Sequence, residues 1–221
     1  MNLSHIKYAV FLIGISVSYA QDIYIESSLN SASFEEFKND EGVNTLENKY
    51  SKPVELGIGV GLIFNMTKNQ RLKWDLGVNY NNYKINTSFI SGNSSIPSQY
   101  NLYYVSFKTG PYFSVVNHSR IKLQLHAHSS LDHLISGSNQ YMDRYIDLNT
   151  DKSFSKLVFN AHYGATLEVV LSDSNSFYIS FDSKNSITNA IEADQSYRLN
   201  STSILAGLRF KLNKIQNPQI H

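Results

Sequence analysis

The sequence predicts an all-β chain, eight antiparallel strands closed into an up-and-down transmembrane β-barrel. Three observations carry that expectation. Apolar residues recur at every second position over stretches longer than an ordinary globular strand: Leu56, Ile58, Val60, Leu62 and Phe64 alternate with Glu55, Gly57, Gly59, Gly61 and Ile63. A period of two places each set on its own face, and stretches of this length match a tilted strand that crosses a membrane. The connections between such stretches run long, short, long, short, long, short, long. The chain opens with the build of a secretory signal, Lys7 before the apolar run Tyr8 to Val17 and then Ser18-Tyr19-Ala20.

The expected organisation is a signal peptide over 1–20, a barrel domain over 21–212 and a short periplasmic tail over 213–221. The apolar run of about 11 residues is too short to span a bilayer, so cleavage after Ala20 is expected rather than anchoring. No cysteine occurs in the 221 residues, which removes lipoprotein anchoring, disulfides and thiolate chemistry together. Charged residues make up 17% and aromatics 13%, and mean hydropathy is −0.28. A barrel gives such a value, because its inward side and loops are polar. Without the signal, 18 basic residues face 18 acidic ones, and this balance, with no basic run, argues against nucleic acid as a partner.

In chain order, Asp22 to Leu29 alternates weakly and 34–52 reads as a charged, solvated loop. The hairpin from Pro53 to Tyr80 turns at 65–70, and its second arm sets Leu72, Trp74, Leu76, Val78 and Tyr80 against Lys73, Asp75, Gly77, Asn79 and Asn81. A second loop spans 86–99. Strand four runs from Tyr103 to Val115, with Gly110-Pro111 expected to mark a bulge or bend, since proline removes a ladder donor. A tight break at 117–119 leads to strand five, Ile121 to His128. A third loop covers 133–155, strand six runs from Leu157 to Leu171, and a tight break at 172–176 precedes strand seven, Phe177 to Asp182. The fourth loop covers 184–200, and Ile204 to Leu212 closes the chain. Antiparallel neighbours put alternate connections at opposite ends, so the long loops share one end and the tight turns the other.

Periodicity alone leaves the inward face open, because a secreted, lipocalin-like ligand binder has the inverse arrangement. Three features favour the membrane. The polar face is built of Gly, Asn, Ser, Thr and His rather than Lys and Glu. The apolar face carries aromatics near strand ends, Phe64, Trp74, Phe113 and Phe177 at the turn end and Tyr80, Tyr103 and Phe159 toward the loop end, as interfacial girdles require. The polar face also holds both signs, Glu55, Asp75, Glu168 and Asp182 against Lys73, Lys108, Lys122, Arg209 and Lys211, which would pair in a narrow lumen.

With these patterns the sequence resembles the small eight-stranded outer-membrane β-barrel family, the OmpA/OmpX-like or "porin family" barrel domain. The resemblance spans Asp22 to about Leu212 and rests on Ala20-Gln21, the Gly-alternating strand Leu56–Phe64, the Phe107–Tyr112 segment and the strand Ile204–Leu212. It implies a bacterial outer-membrane location, lipid and lipopolysaccharide around the wall, and the barrel assembly machinery as a partner during insertion. Many such proteins end on the aromatic of the last strand; here Asn213 to His221 follow it.

An eight-stranded interior is just wide enough for side chains to fill, which disfavours a diffusion pore and moves function to the four long loops: binding of an extracellular ligand, adhesion or envelope integrity, without catalysis and without a cofactor. The strongest competing cluster is His126, His128, Ser129, Ser130, Asp132 and His133. A His-x-Ser pair can activate a hydroxyl, and His128 with Ser130 resembles the pair of the outer-membrane lipid A deacylases. Leu131 stands where that family has Asn, and Met142, beside Asp143, stands where it has an acid. His126, His128 and His162 share the inward face, but without cysteine or ligand spacing they are expected to be lumen hydrogen-bonding groups rather than a metal site. The triplets at Asn65, Asn86, Asn93, Asn117 and Asn200 match the glycosylation pattern by composition alone.

Overall fold

A computed structural model describes residues 22–38, 52–91, 94–141, 144–192 and 196–212. The signal at 1–20 and the tail at 213–221 lie outside the described residues. Ten strands follow in chain order: β1 (Asp22–Lys38), β2 (Val54–Asn65), β3 (Leu72–Ser91), β4 (Ser94–Asn117), β5 (Ile121–Tyr141), β6 (Arg144–Asp147), β7 (Leu157–Val170), β8 (Asn175–Ser186), β9 (Ile191–Glu192) and β10 (Ser196–Lys211). Every pairing is antiparallel, and the path β1-β2-β3-β4-β5-β7-β8-β10 returns to β1 through a ladder from Asp22↔Lys211 to Lys38↔Ser196. These eight strands form the closed ring, so no edge is left at membrane depth. β6 pairs with β5 and β9 with β10 at the far end from the tight turns.

The apolar set faces outward. Ile58 is 64% exposed and Gly57 and Gly59 are buried inside, so the inverted, lipocalin-like alternative is excluded. The lipid-facing belt runs through Leu72, Trp74, Val78 and Tyr80 on β3 and through Phe113, Phe107 and Tyr103 on β4. All seven girdle aromatics (Phe64, Trp74, Tyr80, Tyr103, Phe113, Phe159 and Phe177) lie on this outer side, half-buried or exposed. Trp74 Nε1 donates to Thr109 Oγ1 at 2.9 Å, and that hydroxyl donates to the Asp75 carbonyl at 2.9 Å, which satisfies a belt hydroxyl without water. Inside, Gly61 and Gly77 leave room for Tyr24: a Cβ on either would come within 2.4 Å of its ring or hydroxyl.

The four long connections are the main departure from expectation. Strands extend into each: β1 reaches Lys38, β3 and β4 run to Ser91 and Ser94, β5 runs to Tyr141 with β6 beside it, and β8 and β10 reach Ser186 and Ser196. Residues 39–51 lie outside the described residues. The physical reason is an inversion of faces. Beyond Tyr80 and Tyr103 the outward residues become Asn82, Lys84 and Asn86, and Asn101 and Gln99, while the inward ones become Tyr83, Ile85, Leu102 and Tyr100. Buried Ala32, Phe34, Tyr83, Ile85, Tyr100, Leu102, Tyr104, Leu134, Leu148, Phe154, Val158, Ala190, Ile191, Tyr197 and Leu199 form one apolar core inside this extension. The chain is thus apolar-out in lipid and apolar-in above it, as each solvent requires.

Gly110-Pro111 is not a bulge. Thr109↔Ser129 and Tyr112↔His126 keep the same register on either side of it, and the shifts lie instead at Tyr103/Tyr104 and Ser114/Val116. Gly110 is required there because a Cβ would meet the Ala127 carbonyl oxygen at 2.2 Å.

Candidate functional site

The lumen gathers the chain's buried ionic groups into three tiers. At the turn end, Arg209 on β10 meets Glu168 on β7 at 2.5 Å, and Lys122 on β5 meets the same carboxylate at 3.3 Å. Arg209 also donates to Gln124 Oε1 at 2.8 Å and lies over the Tyr178 ring, 4.5 Å from its centroid. Beside them Lys73 pairs with Asp22 at 3.4 Å.

The middle tier centres on Glu26, which accepts from Lys108 (3.2 Å), Asn79 (2.7 Å) and the Tyr178 hydroxyl (2.7 Å). Lys108 also lies 3.8 Å from Asp75. In the upper tier Asp182 faces His162 at 3.1 Å and His126 at 3.6 Å. Lys184 donates to Asp132 (2.6 Å) and to the Tyr83 hydroxyl (2.7 Å), which joins this tier to the base of the apolar core.

Of the expected charge network, Lys73, Asp75, Lys108, Lys122, Glu168, Asp182 and Arg209 are buried in the lumen. Two members fall outside it. Glu55 is half-buried near the upper end of β2 and accepts from Asn82 at 3.2 Å. Lys211 points along the inward parity but is exposed at the turn-end rim, because the ring ends there. Four further residues belong to the network: Asp22, Glu26 and Lys184, which the sequence pattern does not single out, and Asp132, expected only as part of the histidine cluster. The signal that could find them is parity. Asp22 and Glu26 flank inward Tyr24, and Lys184 shares the face of Asp182, two residues before it.

The histidines are brought together, but not in the His128–Ser130 pairing that the catalytic alternative requires. His128 and Ser130 share a face, yet His128 Nε2 lies 3.8 Å from Asp75 and neither of its ring nitrogens has a hydrogen-bond partner among the described residues, so of the three histidines expected to hydrogen-bond in the lumen this one does not. The ring that reaches Ser130 is His162, whose Nε2 is 2.9 Å from Oγ and whose Nδ1 is 3.1 Å from Asp182 Oδ2. Ser130 Oγ also donates to Asp132 Oδ1 at 2.7 Å and accepts from Asn160 Nδ2 at 3.3 Å. His126 and His128 stack with centroids 4.8 Å apart, both against Tyr112. Among the described residues no group of three or more His, Asp or Glu side chains is arranged to hold a metal ion.

A cavity of about 30 Å³ lies against Ser130, His162, Lys184, Asn30 and Asn81, room for one or two waters. Above it sits the apolar core, with Leu102 and Tyr104 fully buried. In that core, burial pushes the Tyr100 phenol up to about 12 and also raises Tyr83 and Tyr104.

No family model matches the chain, and no curated protein matches it by sequence. Solved structures do resemble it along most of its length. Neisserial surface protein A is 10% identical over 86% of this chain and 97% of that one, with a TM-score of 0.48. The outer membrane protease OmpT from Escherichia coli is 9% identical over 86% and 97%, at 0.47. A major outer membrane protein from Thermus thermophilus is 8% identical over 87% and 100%, at 0.49. On its own strand order, ring closure, apolar outer belt and filled polar lumen, the chain has the fold of a small eight-stranded outer-membrane β-barrel.

Proposed function

We propose that the protein is a non-conducting barrel of the bacterial outer membrane that displays a folded extension at the cell surface for binding, adhesion or envelope integrity, without catalysis. The observation that supports this is a lumen closed twice, by ion pairs at membrane depth and by an apolar core above them. A filled interior leaves the outer face of the extension as the surface on offer. Tyr145, 75% exposed, and its neighbour Ile146 on β6 are large apolar side chains that the extension leaves open to solvent. The partners in this reading are lipid and lipopolysaccharide around the belt, the assembly machinery during insertion, and an extracellular ligand on the extension. Single-channel recording in planar bilayers tests it: the wild-type protein is expected to show no discrete conductance. Regular openings, or swelling of sugar-loaded liposomes, would overturn it.

A catalytic reading is supported by the Asp182–His162–Ser130 relay, whose two distances are those of a base-activated hydroxyl. Against it, Ser130 is buried beneath the core, its proton is directed at Asp132, and the cavity beside it has no room for an acyl chain. Lipid A mass spectra from cells carrying Ser130→Ala decide between the two. An unchanged profile supports the scaffold, and loss of a deacylated species establishes the enzyme.

A further inference from the structure

The turn-end rim carries a charge that the balanced composition hides. Lys68, Arg71, Arg120 and Lys211 are all exposed there, with His118 beside them, and the exposed carboxylate among the described residues of the rim is Asp173. Among the described residues none of these four cations makes an ion pair; the ion pairs of the turn-end tier, Lys73–Asp22, Lys122–Glu168 and Arg209–Glu168, lie inside the lumen. Backbone contacts string them into one collar. Ser114 N donates to the Arg71 carbonyl at 2.8 Å, Val170 N to the Arg120 carbonyl at 2.9 Å, and Lys211 N to the Ser174 carbonyl at 2.8 Å. The Asn117 side chain joins the first two turns through the Asn69 carbonyl at 3.4 Å. The opposite end is mixed: exposed Lys52, Arg144, Lys152 and Lys156 are interspersed with Glu35 and Asp147.

The position of the collar selects its partner. Arg71 directly precedes lipid-facing Leu72 at the start of β3, Arg120 precedes Ile121 at the start of β5, and Lys211 follows Phe210 at the end of β10. Trp74 and Phe113 lie on the belt just above. A cation one residue from a side chain in hydrocarbon sits at headgroup depth, where it attracts anionic lipid. We propose that this collar binds anionic phospholipid headgroups, of the phosphatidylglycerol class, in the leaflet at the turn end of the barrel. The proposal rests on the membrane-barrel reading above and adds a lipid preference to it.

The test uses the full mature chain reconstituted in phosphatidylcholine vesicles doped with spin-labelled phosphatidylglycerol or, in parallel, spin-labelled phosphatidylcholine. The signal read is the fraction of each label immobilised at the protein. Flotation with pure phosphatidylcholine vesicles and a heat-modifiable gel shift first establish insertion and closure, so failure of the barrel reading shows at that stage. The wild type is expected to retain the phosphatidylglycerol label about threefold over the phosphatidylcholine label at low salt, falling toward parity in high salt. The variant Lys68→Gln/Arg71→Gln/Arg120→Gln/Lys211→Gln, whose changes lie on turns and rim, is expected to show parity. Lys152→Gln/Lys156→Gln, at the opposite end, is expected to keep the preference. Equal retention of both labels by an inserted wild type overturns the proposal, as does a preference that survives in the collar variant. Collar-dependent capture by purified cell-wall polymer, with no lipid preference, would overturn it too and assign the collar to the wall instead.

Discussion

Tyr103 and Tyr104 are consecutive residues on β4 that face different solvents. Tyr103 stacks on Tyr80 on the lipid side, ring centroids 6.4 Å apart, while Tyr104 is fully buried in the core of the extension. The level at which they sit is where the wall stops being membrane protein and becomes a water-soluble barrel closed by its own core.

That core should be separable from the barrel beneath it. Leu102→Ala removes a fully buried side chain and is expected to cost the extension about 2–5 kcal/mol. Limited proteolysis of folded protein in detergent should then cut within the extension, while the heat-modifiable gel shift of the barrel persists. Unchanged protease resistance would show that the extension is held by its strands alone.

Depth is measurable because Trp74 is the chain's single tryptophan. Its place beside the turn-end rim predicts strong fluorescence quenching by lipids brominated close to the headgroup and weak quenching by lipids brominated near the chain ends. The reverse order would place the belt elsewhere on the wall.

The lumen tiers predict unequal losses. Arg209 is held by Glu168, Gln124 and the Tyr178 ring, whereas Lys122 has Glu168 as its one partner among the described residues and lies nearer the rim. Arg209→Met leaves a buried carboxylate short of a partner and is expected to cost about 3 kcal/mol. Lys122→Met should cost clearly less. Urea unfolding of the refolded barrel reads both, and equal shifts would mean that the tiers are not distinct.

Alkaline pH should loosen the extension before the barrel. Tyr100 in an unfolded chain ionises near 10.0, but in the folded extension burial holds it neutral up to about 12. Its contribution to stability is therefore fully present below pH 10 and is lost as pH rises through about 12. An absorbance titration of tyrosinate should show a late, cooperative fraction in the wild type that merges with the main transition in Leu102→Ala.

The membrane half of the fold is legible in the sequence because its rule is uniform: period two, apolar out, with tight turns on one side. The extension is not, for a physical reason. Asn82, Tyr83, Lys84 and Ile85 alternate as regularly as Leu76 and Val78 do, but with the faces exchanged. A reader holding one face fixed sees the change as a loop. The same error hides Lys184, two positions beyond a recognised lumen residue on the same face. The Ser130 contact is beyond reach in another way. His128 and Ser130 are close in sequence, but His162 comes from the neighbouring strand, directly opposite His128, and no spacing within one strand reports it.

The exchange of faces also answers a problem common to alternating strands. Sliding such a strand by two residues restores its pattern, so the pattern alone does not choose among even-numbered registers. Here β3 and β4 each carry a change of phase, and the two changes lie side by side at Tyr80–Val105 and Tyr83–Leu102. A slip of two would set an outward asparagine among lipid-facing neighbours on one strand and strand an inward tyrosine beside polar ones on the other. The junction is thus an index mark along the wall, fixing how far each stave can travel against the next.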